Sequence, residues 1–123
     1  MDETKLLPQL LGILDQIKLH HWSTTSYSAH KALDGLHSSL SDKIDTFVES
    51  YIGRFQKQPI KAFTGAIKIH SDSKPVTVMK YLESVHEMFT TLQTTFKPIG
   101  ELVNILDEMR QAVDQCMYLL HLH

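Results

Sequence analysis

The sequence predicts an all-α protein: a four-helix bundle of two antiparallel hairpins joined by a long crossover link. Three observations predict it. Apolar residues recur at helical spacing almost throughout. Four amphipathic segments of comparable length are bounded by capping and turn residues. The first and second segments are joined tightly, as are the third and fourth, whereas about twenty residues separate the pairs. With 123 residues the chain can bury a core without covalent staples, and it is read as one domain over residues 1–123.

In the first segment Leu7, Leu11, Leu14, Ile17 and His21 follow one stripe. Pro8 lies near the start, where a missing N–H costs least. "STTS" (23–26) breaks the pattern and supplies N-cap candidates. The second segment carries Leu33, Leu36, Leu40, Ile44, Phe47 and Tyr51 on one face. It should run from about residue 26 to Tyr51 or beyond, with Gly53 as its stop. The third begins at Pro75, a residue suited to the first helical position. Its stripe is Val78, Tyr81, Val85, Phe89, Leu92 and Phe96, and "KPIG" (97–100) ends it. The fourth stripe is Leu102, Ile105, Met109, Val113, Cys116 and Leu120.

The link, residues 54–74, is longer than helix connections in bundles usually are. A third helix of about 22 residues measures ~33 Å, and twenty extended residues reach ~66 Å. The link can therefore cross the full bundle length, as ferritin-like folds require. It also has room for a short helix around "IKAFTGAIKI" (60–69). It holds Arg54, Lys57, Lys61, Lys68 and Lys74 against Asp72, a local net of +4 in a chain of net charge −2. That charge reads either as a solvated linker or as a patch that contacts nucleic-acid phosphates.

Composition narrows the function classes. Apolar residues make up 42% and charged residues 21%, as in ordinary globular proteins. No apolar run reaches the ~18 residues of a membrane span. "MDETKLLPQLLGILDQ" starts acidic and is not read as a signal peptide. Cys116 is the single cysteine, so no internal disulfide forms and a reducing, cytoplasmic setting is expected. The weak net charge excludes a nucleic-acid polycation.

Residues 19–50, "LHHWSTTSYSAHKALDGLHSSLSDKIDTFVES", gather four of the eight histidines, followed by Asp45 and Glu49. They form either a metal site or the wet side of an ordinary helix. At 100° per residue, His30, Asp34 and Asp45 lie roughly 60° to 120° round from Leu33, and Glu49 about 160°. His30 and Asp34 are four residues apart, as are Asp45 and Glu49, so each pair shares a face. Along the axis the pairs are ~16 Å apart, too far for one ion. Two copies of this helix, antiparallel across a two-fold axis, could bring them together. His21 sits on the apolar stripe of the first helix, close to where the second begins; alone it would read as a core histidine with one hydrogen bond. A site inside one bundle would need inward Glu-x-x-His pairs. Glu83 and His86 have that spacing, but Glu83 lies about 160° from Val85, and Asp107 about 160° from Met109. Both face away from the core, so "ESVH" is expected to be solvated surface.

The pattern His21-Trp22, His30-x3-Asp34, Asp45-x3-Glu49 resembles the Dps family of ferritin-like mini-ferritins. The ending "DQCMYLLHLH" is similar to the end of that family's last helix. The chain also resembles short ferritin-like proteins of phages and large DNA viruses. The first resemblance implies a ferritin-like bundle and a metal site shared by two subunits. Two histidines and an Asp (His21, His30, Asp34) would come from one chain, and Asp45 and Glu49 from its mate. It implies iron binding, with zinc or manganese also compatible, and ferroxidase activity driven by peroxide or dioxygen. It implies a homo-oligomer, at least a two-fold dimer, extending to a closed shell that stores ferric mineral. Trp22 would be a nearby electron donor or a packing residue. The alternative reading is a non-catalytic helical-bundle structural or interaction protein that keeps the ferritin-like fold, a virion component if virus-encoded.

Overall fold

The computed structural model describes residues 2–56 and 65–122. A 3-10 turn, Glu3–Lys5, leads into α1 (Leu6–Ser23); α2 spans Tyr27–Phe55, α3 Pro75–Thr95 and α4 Gly100–His121. No strand occurs among the described residues. None of these helices is long and apolar enough to cross a membrane.

The helix starts follow local chemistry. Ser26 caps α2, its Oγ accepting from the Ala29 N–H at 3.3 Å. Asp72 holds the entry to α3: its carboxylate accepts from Lys74 N–H at 3.1 Å and from the Thr77 hydroxyl at 3.2 Å. The hydrogen bond from Lys74 N–H holds the Asp72 carboxyl below its ordinary range. The expected stop of α2 is corrected. The helix runs through Gly53 to Phe55 and ends at Gln56 in the left-handed region, φ 54°. Two aromatic contacts account for this: the Phe55 ring lies 4.9 Å from Tyr51 and 6.3 Å from Phe96. Tertiary contact outweighs the glycine's weak helix propensity.

All four helices feed one core. The α2 stripe is buried at each expected position. The other stripes need correction. On α1 the buried set is Leu6, Leu7, Leu10, Ile13, Gln16, Ile17, His20 and His21; Leu11 is exposed and Leu14 half-buried. On α3 and α4, Leu82 and Leu106 are fully buried, while Tyr81, Ile105 and Leu120 sit at the core's edge.

The ends of the helices reveal the connectivity. α1 packs on α2, α2 on α4 and α3 on α4. Cys116 Sγ, late in α4, lies 3.6 Å from the Ala32 carbonyl, early in α2, so these two run antiparallel. Phe47 and Tyr51, late in α2, meet Phe96, just past α3, with ring centroids 5.8 and 5.9 Å apart. His20, late in α1, meets Tyr81, early in α3, at 5.6 Å. The chain thus leaves α2 beside the end of α3 and must travel back along the bundle to begin α3. Residues 65–74 carry no helix. Residues 57–64, with Lys57, Lys61 and the first half of the expected short helix, lie outside the described residues. Among the described charges of this stretch, Arg54 and Lys74 fall at opposite ends of the bundle.

The last part of the link is fastened to α1. A Cβ on Gly12 would come within 3.3 Å of Ile67, so the glycine lets the link lie close. The buried Gln16 amide donates to the His70 carbonyl at 2.8 Å and accepts from the His70 N–H at 2.7 Å. That pairing fixes which end of the amide is nitrogen. The same nitrogen lies 3.1 Å from His20 Nε2. Since it can only donate, His20 Nε2 accepts and Nδ1–H donates to Ser73 Oγ at 2.8 Å.

Candidate metal centre

α1 ends at Ser23, which leaves its last carbonyls without helical partners. The Thr24 N–H satisfies that of His20 at 3.0 Å. His30 Nδ1 takes that of His21 at 2.8 Å. In return His21 Nδ1 bonds the His30 carbonyl at 2.8 Å. The two imidazoles stack with centroids 3.8 Å apart and planes 19° apart. The short "STTS" turn therefore does two jobs: it caps α2, and it brings His30 back against His21.

These bonds settle the tautomer. A carbonyl oxygen only accepts, so both Nδ1 atoms carry hydrogen. An imidazole anchored through Nδ1–H offers Nε2 to a ligand, the arrangement that a metal-ligating histidine has when its other nitrogen is held. His21 Nε2 points toward Asp34 Oδ1 at 3.8 Å, too long for a hydrogen bond. Asp34 is exposed on α2, one turn beyond His30. Burial pushes down the pKa of His37, a further turn along, with Lys18 acting in the same direction and Asp34 against it. His37 shares this face and is a neighbour that the sequence reading did not single out; its i, i+7 spacing from His30 was the available signal.

Asp45 and Glu49 are both exposed on α2. Hydrogen bonding to Asp45, and then its charge, raise the Glu49 carboxyl above its ordinary value. The two carboxylates thus oppose each other's ionisation. The structure thus brings His21, His30 and Asp34 together at one end of α2 and leaves Asp45 and Glu49 together toward the other. Among the described residues of one chain, no group of three or more His, Cys, Asp or Glu is arranged to hold a metal ion. Glu83 and Asp107 are exposed. His86 of "ESVH" pairs across to Asp114 at 3.1 Å.

The described residues are therefore all-α, four packed helices with histidines and carboxylates set out along one flank of the longest of them, α2. Residues 21–120 match a family described as a family of unknown function (DUF5856), and the chain belongs to that family. It is similar to an uncharacterised 14.6 kDa protein from the mobD–ri intergenic region of Enterobacteria phage T4. The identity is 28% over 102 residues, covering 83% of this chain and 74% of the phage protein. No solved structure matches.

Proposed function

We propose that this protein is a Dps-like, ferritin-like iron-binding protein with a site shared between two copies of the chain. The observation that carries this reading is the reciprocal His21–His30 bonding through Nδ1, which leaves both Nε2 atoms available to a ligand, that of His21 3.8 Å from Asp34 Oδ1. Asp45 and Glu49 of the second copy would add the anionic ligands. Iron(II) is the substrate. Imidazole with carboxylate suits it, and zinc or manganese would fit the same donors. In this reading His21 and His30 bind through Nε2, Asp34 binds or orients, and Asp45 and Glu49 offset the cation's charge in both oxidation states. Electrons pass from iron(II) to peroxide or dioxygen. The link's return along the bundle supports a ferritin-like fold, which requires such a crossover, and the assembly would be a dimer or a larger shell of dimers.

The test mixes two inactive chains. His30→Ala and Glu49→Ala should each lose iron(II) binding and oxidation. In the mixed dimer one site collects both defects and the other none, so activity should recover to about half per heterodimer. If subunits exchange and activity does not return, the shared site is wrong. The second reading is a non-catalytic helical structural or interaction protein that keeps the fold; the phage origin of the relative is compatible with a virion setting for it. Such a structural protein would oxidise iron(II) no faster than buffer and would retain no metal on gel filtration.

A further inference from the structure

We propose that the histidine end of the bundle holds a binding cavity for a small neutral molecule with an apolar body and one hydrogen-bond acceptor, such as an aromatic ketone. The first two turns of α2, the start of α3 and the end of α4 surround a cavity of about 430 Å³. Its floor is apolar: Leu33 and Val78 are buried, and Met79 and Leu120 half-buried. Its rim carries serine and threonine hydroxyls. An apolar body with a few placed polar groups is how small-molecule sites are built. None of the described lining residues is charged, so an ion entering would lose its hydration with no side chain of opposite charge to meet it. A cavity of roughly 150 Å³ holds one benzene ring, so this one has room for two rings and a linking group.

The acceptor is asked for by Ser73, which lines the cavity and also holds His20. Its Oγ accepts from His20 Nδ1–H at 2.8 Å, because the Gln16 amide holds His20 Nε2 as an acceptor. The Ser73 hydrogen therefore turns away from His20, and it meets no acceptor among the described residues. The other rim hydroxyls are engaged in the turn between α1 and α2. Thr24 Oγ1 accepts from the Ser26 N–H at 3.2 Å. Ser26 Oγ accepts from the Ala29 N–H at 3.3 Å and lies 3.1 Å from Ser28 Oγ. A ligand oxygen seated over the apolar floor takes the Ser73 hydrogen. The donors run one way, from Gln16 through His20 to Ser73, and such a chain polarises its last bond. The same order excludes a nucleophilic serine, which needs a base beside it: the His20 nitrogen facing Ser73 already carries its hydrogen. The cavity binds its ligand and leaves it unchanged. None of these residues is a proposed metal ligand, so the cavity stands or falls apart from the iron site.

Methyl NMR of the metal-free protein with benzophenone, diphenylmethane and 4-benzoylbenzoate tests the cavity. All three carry two rings; diphenylmethane lacks the oxygen, and 4-benzoylbenzoate adds a charge. Benzophenone should shift the methyl signals of Leu33, Val78, Met79 and Leu120. It should leave those of Leu7 and Val48, beside Tyr51 at the other end of the bundle, in place. 4-Benzoylbenzoate should bind more weakly than benzophenone. Ser73→Ala should lower the ratio of benzophenone to diphenylmethane affinity roughly two- to tenfold, the worth of one hydrogen bond. Ser73→Thr, which keeps the hydroxyl, should hold the ratio. A disturbance of the fold that touches both ligands cancels in that ratio, and circular dichroism checks that each variant is helical. Ala29→Leu, which fills the cavity, should weaken both ligands together. The proposal is overturned if benzophenone leaves the four methyl signals unmoved up to its solubility, or if shifts spread over both ends of the bundle. It is equally overturned if the carboxylate binds more tightly than the ketone, or if Ser73→Ala leaves the ratio unchanged.

Discussion

Glu49 and His20 titrate in opposite senses, and each gives a measurable consequence. Glu49 holds its proton more tightly when folded, because Asp45 hydrogen-bonds it and repels its charge. A raised carboxyl adds stability below its ordinary value of 4.5 and loses it as pH rises through the raised value. Glu49→Gln should therefore abolish metal binding while leaving the metal-free thermal midpoint at pH 7 unchanged or slightly higher. A drop of several degrees would mark Glu49 as structural. His20 behaves the other way. Burial lowers its pKa from 6.5, against the pull of Asp72, and Gln16 can only donate to its Nε2. The unfolded chain takes up the proton first as pH falls. Stability is present above about 6.5 and is lost below it, down to the lowered folded value. The urea midpoint should fall between pH 7 and pH 5, and His20→Gln should flatten that fall.

At the scale of elements, the link is held by side chains that sequence spacing did not expose. Gln16→Ala removes both bonds to the His70 main chain and leaves His20 Nε2 buried without its donor. The cost should be about 1–3 kcal/mol in urea unfolding. Amide exchange at His70 should quicken more than anywhere in α4; equal protection in the variant would show that the link is held by other contacts. α2 was legible because its large apolar residues fall on one face and serines, acids and lysines fill the other. α1 was not, because leucine or isoleucine at 6, 7, 10, 11, 13, 14 and 17 spreads over a face of roughly 160°, wider than the part that is buried. Only contact with the link and α3 chooses the face that contains Gln16 and His20. A buried amide reads from sequence as a surface residue until its partner, the main chain of His70 far along the chain, is known. The metal candidates divided the same way: four-residue spacing placed each pair on a face, but the carbonyl bonds that orient His21 and His30 depend on the turn between α1 and α2.

For the whole molecule, one core and one flank carry separate burdens. Leu40 is fully buried, and Leu40→Ala should cost about 2–5 kcal/mol without changing which residues meet across the flank. Docking should instead raise the thermal midpoint with protein concentration, and iron(II) or zinc(II) should raise it further, since both bind only the folded chain. A midpoint insensitive to concentration and metal alike would fit a monomeric structural protein. The two ends of the molecule differ in kind. Phe47, Tyr51, Phe55 and Phe96 close one end with rings, whereas the other is tied by histidines, serines and the Gln16 amide.

That division decides what light would report. Trp22 is the one tryptophan, 68% exposed, with Lys18 Nζ 5.7 Å above its ring and His21 as its neighbour in sequence. Its emission in the lone folded chain should already peak close to that of tryptophan in water, so melting the core should shift the colour little. A second chain arriving over the flank should move the peak to the blue, and iron held beside His21 should dim it. The intrinsic glow of this protein would follow its encounters and stay nearly silent about its unfolding.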